Sequence, residues 1–202
     1  MKVFITGVTG QLGRTLAKTL KKDHMIIGLA RKYAADIEVD KLIIGDLEQP
    51  HTFVDEIAEC EALILNAAVY RSSGVPIDEY FKVNCQSVNH IFAQLAKISH
   101  KVKKAIFIST NAVHDLNQGS PVSEISRFGP SDYYQYSKLL AENIFLDGIK
   151  TSGIQGVIIR PGMIWGDLDF RLKKIFNLAQ LDPIPLIGNK NPWCHFITFS
   201  DL

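Results

Sequence analysis

The segment DYYQYSK, residues 132–138, contains a tyrosine and a lysine at a spacing that can support acid–base chemistry. On a helix, Tyr134 and Lys138 lie on the same face one turn apart, because residues four positions apart are neighbours there. A nearby ammonium favours the phenolate, so we expect Lys138 to lower the pKa of Tyr134 until the phenol is usable near neutral pH. Such pairs also arise by chance on surface helices, so the other motifs of the chain decide between the two interpretations.

A glycine-rich turn, GVTGQLG at residues 7–13, follows an apolar run and precedes leucines at helical spacing. Glycines in this position allow a tight bend, a close approach of backbone to a pyrophosphate, and packing of helix on strand. The helix N-terminus adds N–H groups and a partial positive charge for phosphate. An ordinary strand-to-helix turn is the alternative. The dinucleotide-binding interpretation assigns cofactor contacts to Gly7, Thr9, Gly10, Gln11, Leu12 and Gly13.

The end of the second apolar run, LARK, indicates which dinucleotide is bound. Domains that prefer NAD usually have an acidic residue here for the ribose hydroxyls, and this chain has Arg31 and Lys32 instead. A guanidinium can form charge-assisted, paired hydrogen bonds with a 2′-phosphate. We therefore favour NADP over NAD, with Arg31 as the contact, although an exposed basic turn gives the same sequence.

Short polar or small-residue segments follow the next two strand-length runs. GDL at 45–47 places a carboxylate where an adenine edge is expected, and NAA at 66–68 allows the backbone to approach a cofactor. Asn84, in YFKVN, begins a predicted helix at 84–97, where it can also be an N-cap. The cofactor contacts predicted in these segments are Asp46, Leu47, Asn66, Ala67, Ala68 and Asn84.

A hydroxyl pair, Ser109 and Thr110, follows the fifth strand-length run. Ligands of open α/β sheets bind beyond the carboxyl ends of the strands. A hydroxyl at this position can hydrogen-bond a carbonyl or an alcohol of a substrate, although Ser and Thr also cap strand ends routinely.

Six apolar runs, at 3–6, 25–30, 41–44, 62–65, 104–109 and 156–160, alternate with segments of helical periodicity. The runs are unbroken and rich in β-branched residues, as in parallel strands that are covered on both faces. Strands that alternate with helices predict right-handed crossovers and a Rossmann-type, doubly wound α/β sheet.

The composition is that of an ordinary globular protein of 202 residues, with 47% apolar residues and a formal net charge of +1. Neither a nucleic acid nor a membrane is expected as a partner, since no strong basic bias and no apolar stretch of about 20 residues is visible. Three scattered cysteines and the absence of a signal peptide favour a reducing cytoplasm. No metal site is predicted, because no cysteine or histidine has ligand spacing.

In their order along the chain, these motifs resemble the extended branch of the short-chain dehydrogenase/reductase superfamily. The matching segments are TGVTGQLG, GDL, NAA, YFKVN, FISTNAV, YQYSKLLAE and RPGMIWG. TGQLG, NAA and IST are also similar to the dTDP-4-dehydrorhamnose reductase pattern, whereas LARK and GDL look more like epimerases and dihydroflavonol reductase. His114 and Asp115 replace the usual Tyr-Gly after the Ser/Thr motif.

The resemblance implies roles for particular residues. Tyr134 would be the general acid–base, Lys138 would lower its pKa and hold the nicotinamide ribose, and Thr110 would be the catalytic hydroxyl in preference to Ser109. Pro161 and Met163 match the segment that lies along the nicotinamide. Dimerisation through the helices at 84–100 and 133–151 is implied as well.

The resemblance leaves three functions open. The first is an NAD(P)-dependent epimerase, dehydratase or oxidoreductase acting on a sugar-nucleotide-like small molecule. The second is an NADPH-dependent ketone or aldehyde reductase similar to dihydroflavonol reductase, and the third is a non-catalytic dinucleotide sensor or scaffold. An intact set of Thr110, Tyr134 and Lys138 argues against the third.

Residue 160 divides the predicted dinucleotide-binding domain, 1–160, from a partial substrate-binding cap, 161–202. The second part is rich in proline, with one helix predicted around 169–180 and a short strand in HFITFSDL. We expect it to be a small, truncated substrate-binding portion. Tyr70, Arg71, Trp165 and Trp193 are candidates to line the substrate pocket, but for each tryptophan a packing role is the favoured interpretation.

Overall fold

The computed structural model describes residues 1–71, 74–116, 121–165, 177–178, 180, 196–199 and 201–202. Six strands form one parallel sheet in the order β3-β2-β1-β4-β5-β6, which confirms the Rossmann-type fold. Each strand begins and ends within one residue of its predicted run. The strands are β1 (Lys2–Thr6), β2 (Met25–Ala30), β3 (Lys41–Ile44), β4 (Ala62–Leu65), β5 (Lys104–Ile108) and β6 (Gln155–Ile159).

Helices cover both faces of the sheet because each strand points alternate side chains to opposite sides. In β1, Phe4 packs in the cluster shared with the second, fourth and fifth helices, and Val3 and Ile5 pack in the cluster on the first helix. The helices are α1 (Gln11–Leu20), α2 (Val54–Ala58), α3 (Ile77–Phe81), α4 (Ser87–Leu95) and α5 (Tyr133–Ser152).

The helix predicted at 84–97 begins earlier than expected. The chain is helical from Ile77, passes through a π-helical turn at Lys82–Gln86, and continues as α4 to Leu95. Asn84 therefore lies inside a helical segment, and its interpretation as an N-cap is wrong. Such π-helical turns redirect side chains and are frequent at functional sites.

The described part of 161–202 is separate from the main sheet. Strand β7 (Met163–Trp165) pairs in parallel with β8 (Phe196–Thr198), which confirms the short strand predicted in HFITFSDL. Ile164 and Phe199 pack against the core cluster under α1. The predicted helix at 169–180 and Trp193 lie largely or wholly outside the described residues, and the division into two domains stays a prediction.

The strand order reverses between β1 and β4, which are neighbours although two strands separate them in sequence. In open α/β sheets, ligands bind beyond the carboxyl ends of the strands at this point. The glycine turn follows β1, and NAA at 66–68 follows β4. The topology therefore brings both predicted cofactor segments to the same edge of the sheet.

Candidate active site

A cavity of about 840 Å³ lies along the carboxyl ends of the strands. It extends from the glycine turn and the end of β2 to the first turn of α5. All predicted site residues except Gly13 and Asn84 line it. These are Gly7, Thr9, Gly10, Gln11, Leu12, Arg31, Asp46, Leu47, Asn66, Ala67, Ala68, Thr110, Tyr134, Lys138, Pro161 and Met163.

The glycine turn fits a ligand that needs backbone contact. Gly7 has a φ of +71°, and a Cβ there would lie 2.8 Å from Cα of Ala67. Gly10 is the N-cap of α1, and no side chain caps this helix end. A helix N-terminus of this kind favours an anion, and the turn brings it to the cavity wall.

Gly13 has a packing role. A Cβ at this position would lie 2.2 Å from the carbonyl oxygen of Gly7 and 2.8 Å from Cα of Val8. The third glycine of the motif therefore lets α1 pack directly on the turn that precedes it. It shapes the cofactor end of the cavity without lining it.

Thr6 joins the glycine turn to the end of β4, and the sequence did not point to it. Its hydroxyl oxygen accepts the backbone N–H groups of Asn66 and Ala67, each at 3.0 Å. In return, the Asn66 amide donates to the carbonyl oxygens of Thr6 and Gly7 at 3.3 and 3.2 Å. A threonine directly before the first glycine was the available signal.

Arg31 and Asp46 follow adjacent strands at the same end of the cavity. Arg31 is exposed directly after β2, so its guanidinium is accessible to a ligand. The Asp46 carboxylate accepts the backbone N–H of Glu48 at 3.0 Å and so orders the turn after β3. Both charged side chains line the cavity, and their contacts with the adenosine half of a dinucleotide stay predictions.

Tyr134 lies at the other end of the cavity, in the first turn of α5, and is 8% exposed. Its ring contacts Tyr70 edge-to-face at 5.1 Å, and the Arg71 guanidinium lies 5.5 Å from its centroid. The Thr110 side chain lowers the pKa of Tyr134, whereas the neighbouring hydroxyl of Ser109 donates to Glu142. The choice of Thr110 over Ser109 as the catalytic hydroxyl stays a prediction.

The pKa of Tyr134 is raised, contrary to the expectation that Lys138 lowers it. Burial is the main cause, and Tyr70 adds to it, while Arg71 and the Thr110 hydrogen bond act in the opposite direction. The expectation fails because desolvation of the phenolate outweighs the favourable charges.

Lys138 lies one turn beyond Tyr134 on the same buried face, as the spacing predicted. It is 1% exposed, and its ammonium donates to the carbonyl oxygen of Ile108 at 2.6 Å and lies 4.1 Å from the Phe107 ring centroid. Burial lowers the pKa of Lys138 to about 7. The lysine can therefore gain or lose its proton near neutral pH.

Asn84 is buried behind the cavity and holds two of its walls together. Its amide pairs with the backbone N–H and C=O of Val69 at 2.8 and 3.1 Å and donates to the Ser137 hydroxyl at 2.8 Å. Ser137 in turn donates to the carbonyl oxygen of Tyr134 at 2.7 Å. Asn84 thus connects the loop after β4 to α5. It does not line the cavity, so the structure does not support its predicted direct contact with the cofactor.

The described residues contain neither a metal-binding cluster nor a membrane-spanning helix. No group of three or more His, Cys, Asp or Glu side chains within these ranges is arranged to hold a metal ion. Nor is any helix in this part of the chain long and apolar enough to cross a bilayer.

Known proteins with similar sequences include reductases and epimerases. The chain is 25% identical to a 2-alkyl-3-oxoalkanoate reductase of Shewanella oneidensis, over 93% of this chain and 51% of that protein. It is 29% identical to a UDP-glucose 4-epimerase of Vibrio cholerae, over 81% of this chain and 52% of that protein. The chain thus spans about half the length of the curated relatives it matches.

Similar solved structures share the fold. A UDP-glucuronic acid 4-epimerase from Bacillus cereus, in complex with UDP-glucuronic acid and NAD, superimposes with a TM-score of 0.81 at 22% identity. The match covers 99% of this chain and 70% of that one. The model of the NAD dependent epimerase/dehydratase family matches residues 3–202. With its strand order, glycine turn and this match over nearly its whole length, the chain belongs to the NAD dependent epimerase/dehydratase family.

Proposed function

We propose that this protein is an NAD(P)-dependent epimerase, dehydratase or oxidoreductase that acts on a sugar-nucleotide-like alcohol or ketone by hydride transfer. One observation carries the proposal: a single cavity has the glycine turn at one end and Thr110, Tyr134 and Lys138 at the other. A dinucleotide bound with its phosphates at the turn would reach towards Tyr134.

The bound nicotinamide supplies the hydride donor or acceptor, and the protein supplies position and proton transfer. The Tyr134 phenol gives a proton to the reacting oxygen in a reduction and takes it back in an oxidation. The pKa of Tyr134 is raised, so at neutral pH the side chain is a phenol and holds the proton that a carbonyl oxygen would receive. Thr110, which also lines the cavity, would orient the phenol and the same substrate oxygen.

Lys138 has a second part in this proposal. Its ammonium is held at the carbonyl oxygen of Ile108, at the cavity wall one helical turn from Tyr134. An ammonium carries three donors, so two remain for other acceptors such as the ribose hydroxyls of the nicotinamide. Lys138 would therefore fix the cofactor beside the phenol.

NADP is the favoured cofactor, with NAD as the alternative. Arg31 lines the cavity directly after β2, and the positions beside it, Ala30 and Lys32, carry no acid to repel a 2′-phosphate. Against this, the Bacillus cereus epimerase holds NAD. A preference for NADPH would favour the ketone or aldehyde reductase, because a reductase consumes its cofactor in every cycle.

The proposed substrate is a class of compound and not one named molecule. The cavity lining includes the apolar side chains of Leu116 and Val122, Tyr70 beside Tyr134, and Arg71, whose guanidinium pairs with Asp132 at 2.6 Å. We propose a sugar-nucleotide-like alcohol or ketone, as in the Vibrio cholerae relative, or a 3-oxo compound, as in the Shewanella oneidensis relative. The intact Thr110, Tyr134 and Lys138 set argues against a purely binding role.

The test compares two tyrosines of α5 in the full-length protein. Tyr134→Phe should leave NADPH and NADH binding within about twofold of wild type and reduce turnover at least about 100-fold, since only the proton donor is lost. Tyr136→Phe, at an exposed position on the same helix, should match wild type in both. Two assays define the reaction: loss of NADPH absorbance with ethyl acetoacetate, and conversion of UDP-glucose without net change in the cofactor.

Unchanged turnover in Tyr134→Phe would contradict the proposed acid–base role. Net oxidation of NADPH would identify a reductase, and epimer formation at constant cofactor would identify an epimerase. Binding of NADPH without either reaction, over a panel of sugar nucleotides and ketones, would favour the sensor.

A further inference from the structure

Three consecutive residues at the end of β5 contact three successive turns of one face of α5. Thr110 acts on Tyr134 by lowering its pKa, the carbonyl oxygen of Ile108 accepts from Lys138, and Ser109 donates to Glu142 at 2.5 Å. Tyr134 and Lys138 line the cavity, and Glu142 does not. Glu142 is therefore a buried ionisable group for which the proposed reaction has no direct use.

Glu142 is 2% exposed, and its carboxylate is fully provided with donors. Besides the Ser109 hydroxyl, it accepts from Nε of Arg160 at 3.0 and 3.2 Å and from Nη2 of Arg160 at 2.7 Å. Burying a carboxylate is costly unless such partners compensate for the lost water. The arrangement thus maintains a negative charge within the protein, one helical turn from Lys138.

Arg160 is itself held in place by three residues that lie between β5 and α5. Its guanidinium donates to the carbonyl oxygen of Glu124 at 3.2 Å, contacts Nε2 of His114 at 3.3 Å and lies 5.1 Å from the Phe128 ring centroid. Arginine is always a donor, so in this contact His114 accepts at Nε2 and its Nδ1–H donates to the carbonyl oxygen of Ser126. Both members of the ion pair therefore have a defined geometry.

We propose that Glu142, held by Arg160 and Ser109, is a positioning residue that acts on the charge of Lys138 from one helical turn away on the same buried face. It acts through the lysine and touches neither cofactor nor substrate. The functional meaning rests on the proposed function, since it is the charged lysine that would hold the ribose. The electrostatic effect on Lys138 is a property of the folded protein alone and can be measured without a substrate.

The groups that face Lys138 from its surroundings support this assignment. Burial lowers the pKa of Lys138 to about 7, and the groups that oppose this lowering are Glu142 on the same helix and, to a smaller extent, Cys85 in the π-helical turn. Burial also raises the pKa of the Cys85 thiol to about 11, so this group is neutral at pH 7. Tyr134 is an uncharged phenol, and Arg160 pairs with Glu142. The carboxylate is therefore the main charge that favours the protonated form of Lys138.

The test measures the free energy of unfolding by urea between about pH 5 and pH 9 and takes the difference between each protein and its Lys138→Met version. A buried lysine with a lowered pKa reduces stability by a constant amount below that pKa, and the reduction diminishes above it. The pH at which the difference begins to diminish therefore reports the pKa of Lys138. In the wild-type background we expect it near 7.

In a Glu142→Gln background, the pH at which the stability difference begins to diminish should move down by about one unit, because the carboxylate that favours the charged lysine is gone. Asp147→Asn, which removes an exposed carboxylate from the same helix, is the control and should leave it in place. Glu142→Gln leaves Arg160 without a counter-charge, so the double variant Glu142→Gln with Arg160→Met serves if the single one fails to fold. It removes both charges and should show a downward shift in the same direction.

An unchanged pH in both Glu142 backgrounds would overturn the proposal, because a residue that only packs would change stability at every pH alike. The result is independent of the proposed function. Loss of the Tyr134 role would leave the shift intact, and absence of the shift would leave the Tyr134→Phe result intact.

Discussion

The two ends of the cavity are built on different principles. At the dinucleotide end, backbone geometry forms the surface: a glycine with φ of +71°, an uncapped helix N-terminus, and hydrogen bonds between Thr6 and the NAA segment. At the reacting end, buried side chains form it, and Tyr134 and Lys138 are both at most 8% exposed. The first end tolerates little change in shape, and the second tolerates little change in charge.

The two ends of the cavity therefore contribute differently to the stability of the fold. Backbone contacts at the dinucleotide end also hold β1 against β4, so they stabilise the protein and bind the ligand together. Buried ionisable groups at the reacting end lose solvation, so they reduce stability in exchange for chemistry. Substitutions at the two ends should therefore change stability in opposite directions.

The largest effect is expected at Gly7. Gly7→Ala introduces a side chain at positive φ and a Cβ within 2.8 Å of the Ala67 backbone, so both stability and dinucleotide binding should fall. Gly153 has φ of +69° with nothing within 4 Å of its Cβ position, which makes Gly153→Ala a matched control. We expect a loss of about 1 kcal/mol for the control and about 3 kcal/mol or more for Gly7→Ala.

The measurements are urea unfolding and fluorescence titration with NADH. Gly153→Ala should bind NADH like wild type, and Gly7→Ala should bind at least about tenfold more weakly. Equal stability losses at the two glycines would show that the contact with β4 does not matter, and the contrast between the two ends would then be wrong.

At Lys138 we expect a substitution to increase the stability of the protein, the opposite of the effect at Gly7. Below its folded pKa of about 7, the lysine is a buried charge, so Lys138→Met should stabilise the protein near pH 6 by a net amount on the order of 2 kcal/mol. The gain should shrink towards pH 9, because the neutral lysine is less costly to bury. NADH binding should weaken at the same time. A destabilised Lys138→Met at pH 6 would mean that the hydrogen bond to Ile108 outweighs burial.

The smallest effect is expected at Arg31, which is exposed and contributes little to the fold. Arg31→Asp should weaken NADPH binding about tenfold or more and NADH binding much less, because only NADPH carries the 2′-phosphate. Lys32→Asp makes the same change in charge at a residue outside the cavity lining and is the control. An equal loss of both cofactors in Arg31→Asp would rule out pairing with the 2′-phosphate.

The sequence predicted the fold well because strand-length apolar runs and a glycine turn are local patterns. All six strands of the sheet and the placement of the glycine turn beside NAA follow from them. Asn84 was misplaced because its helix begins at Ile77 and includes a π-helical turn, which periodicity does not reveal. Thr6 was missed because its partners are about 60 residues away.

The electrostatics of the site were the least predictable part. The four-residue spacing of Tyr134 and Lys138 gave their shared face correctly, but the direction of the Tyr134 pKa shift depends on how deeply the phenol is buried. It also depends on Arg71 and Thr110, which reach Tyr134 from two different loops. Glu142 stands in the quoted motif YQYSKLLAE, yet only the fold brings Arg160 and Ser109 to it.

The most direct test of the central claim is a crystal structure of the protein with NADPH bound. The account predicts pyrophosphate at the Gly7–Gly13 turn, the 2′-phosphate at Arg31, and the nicotinamide ring beside the Tyr134 hydroxyl with its ribose at Lys138. A dinucleotide bound elsewhere, or in this cavity with its nicotinamide remote from Tyr134, would contradict it.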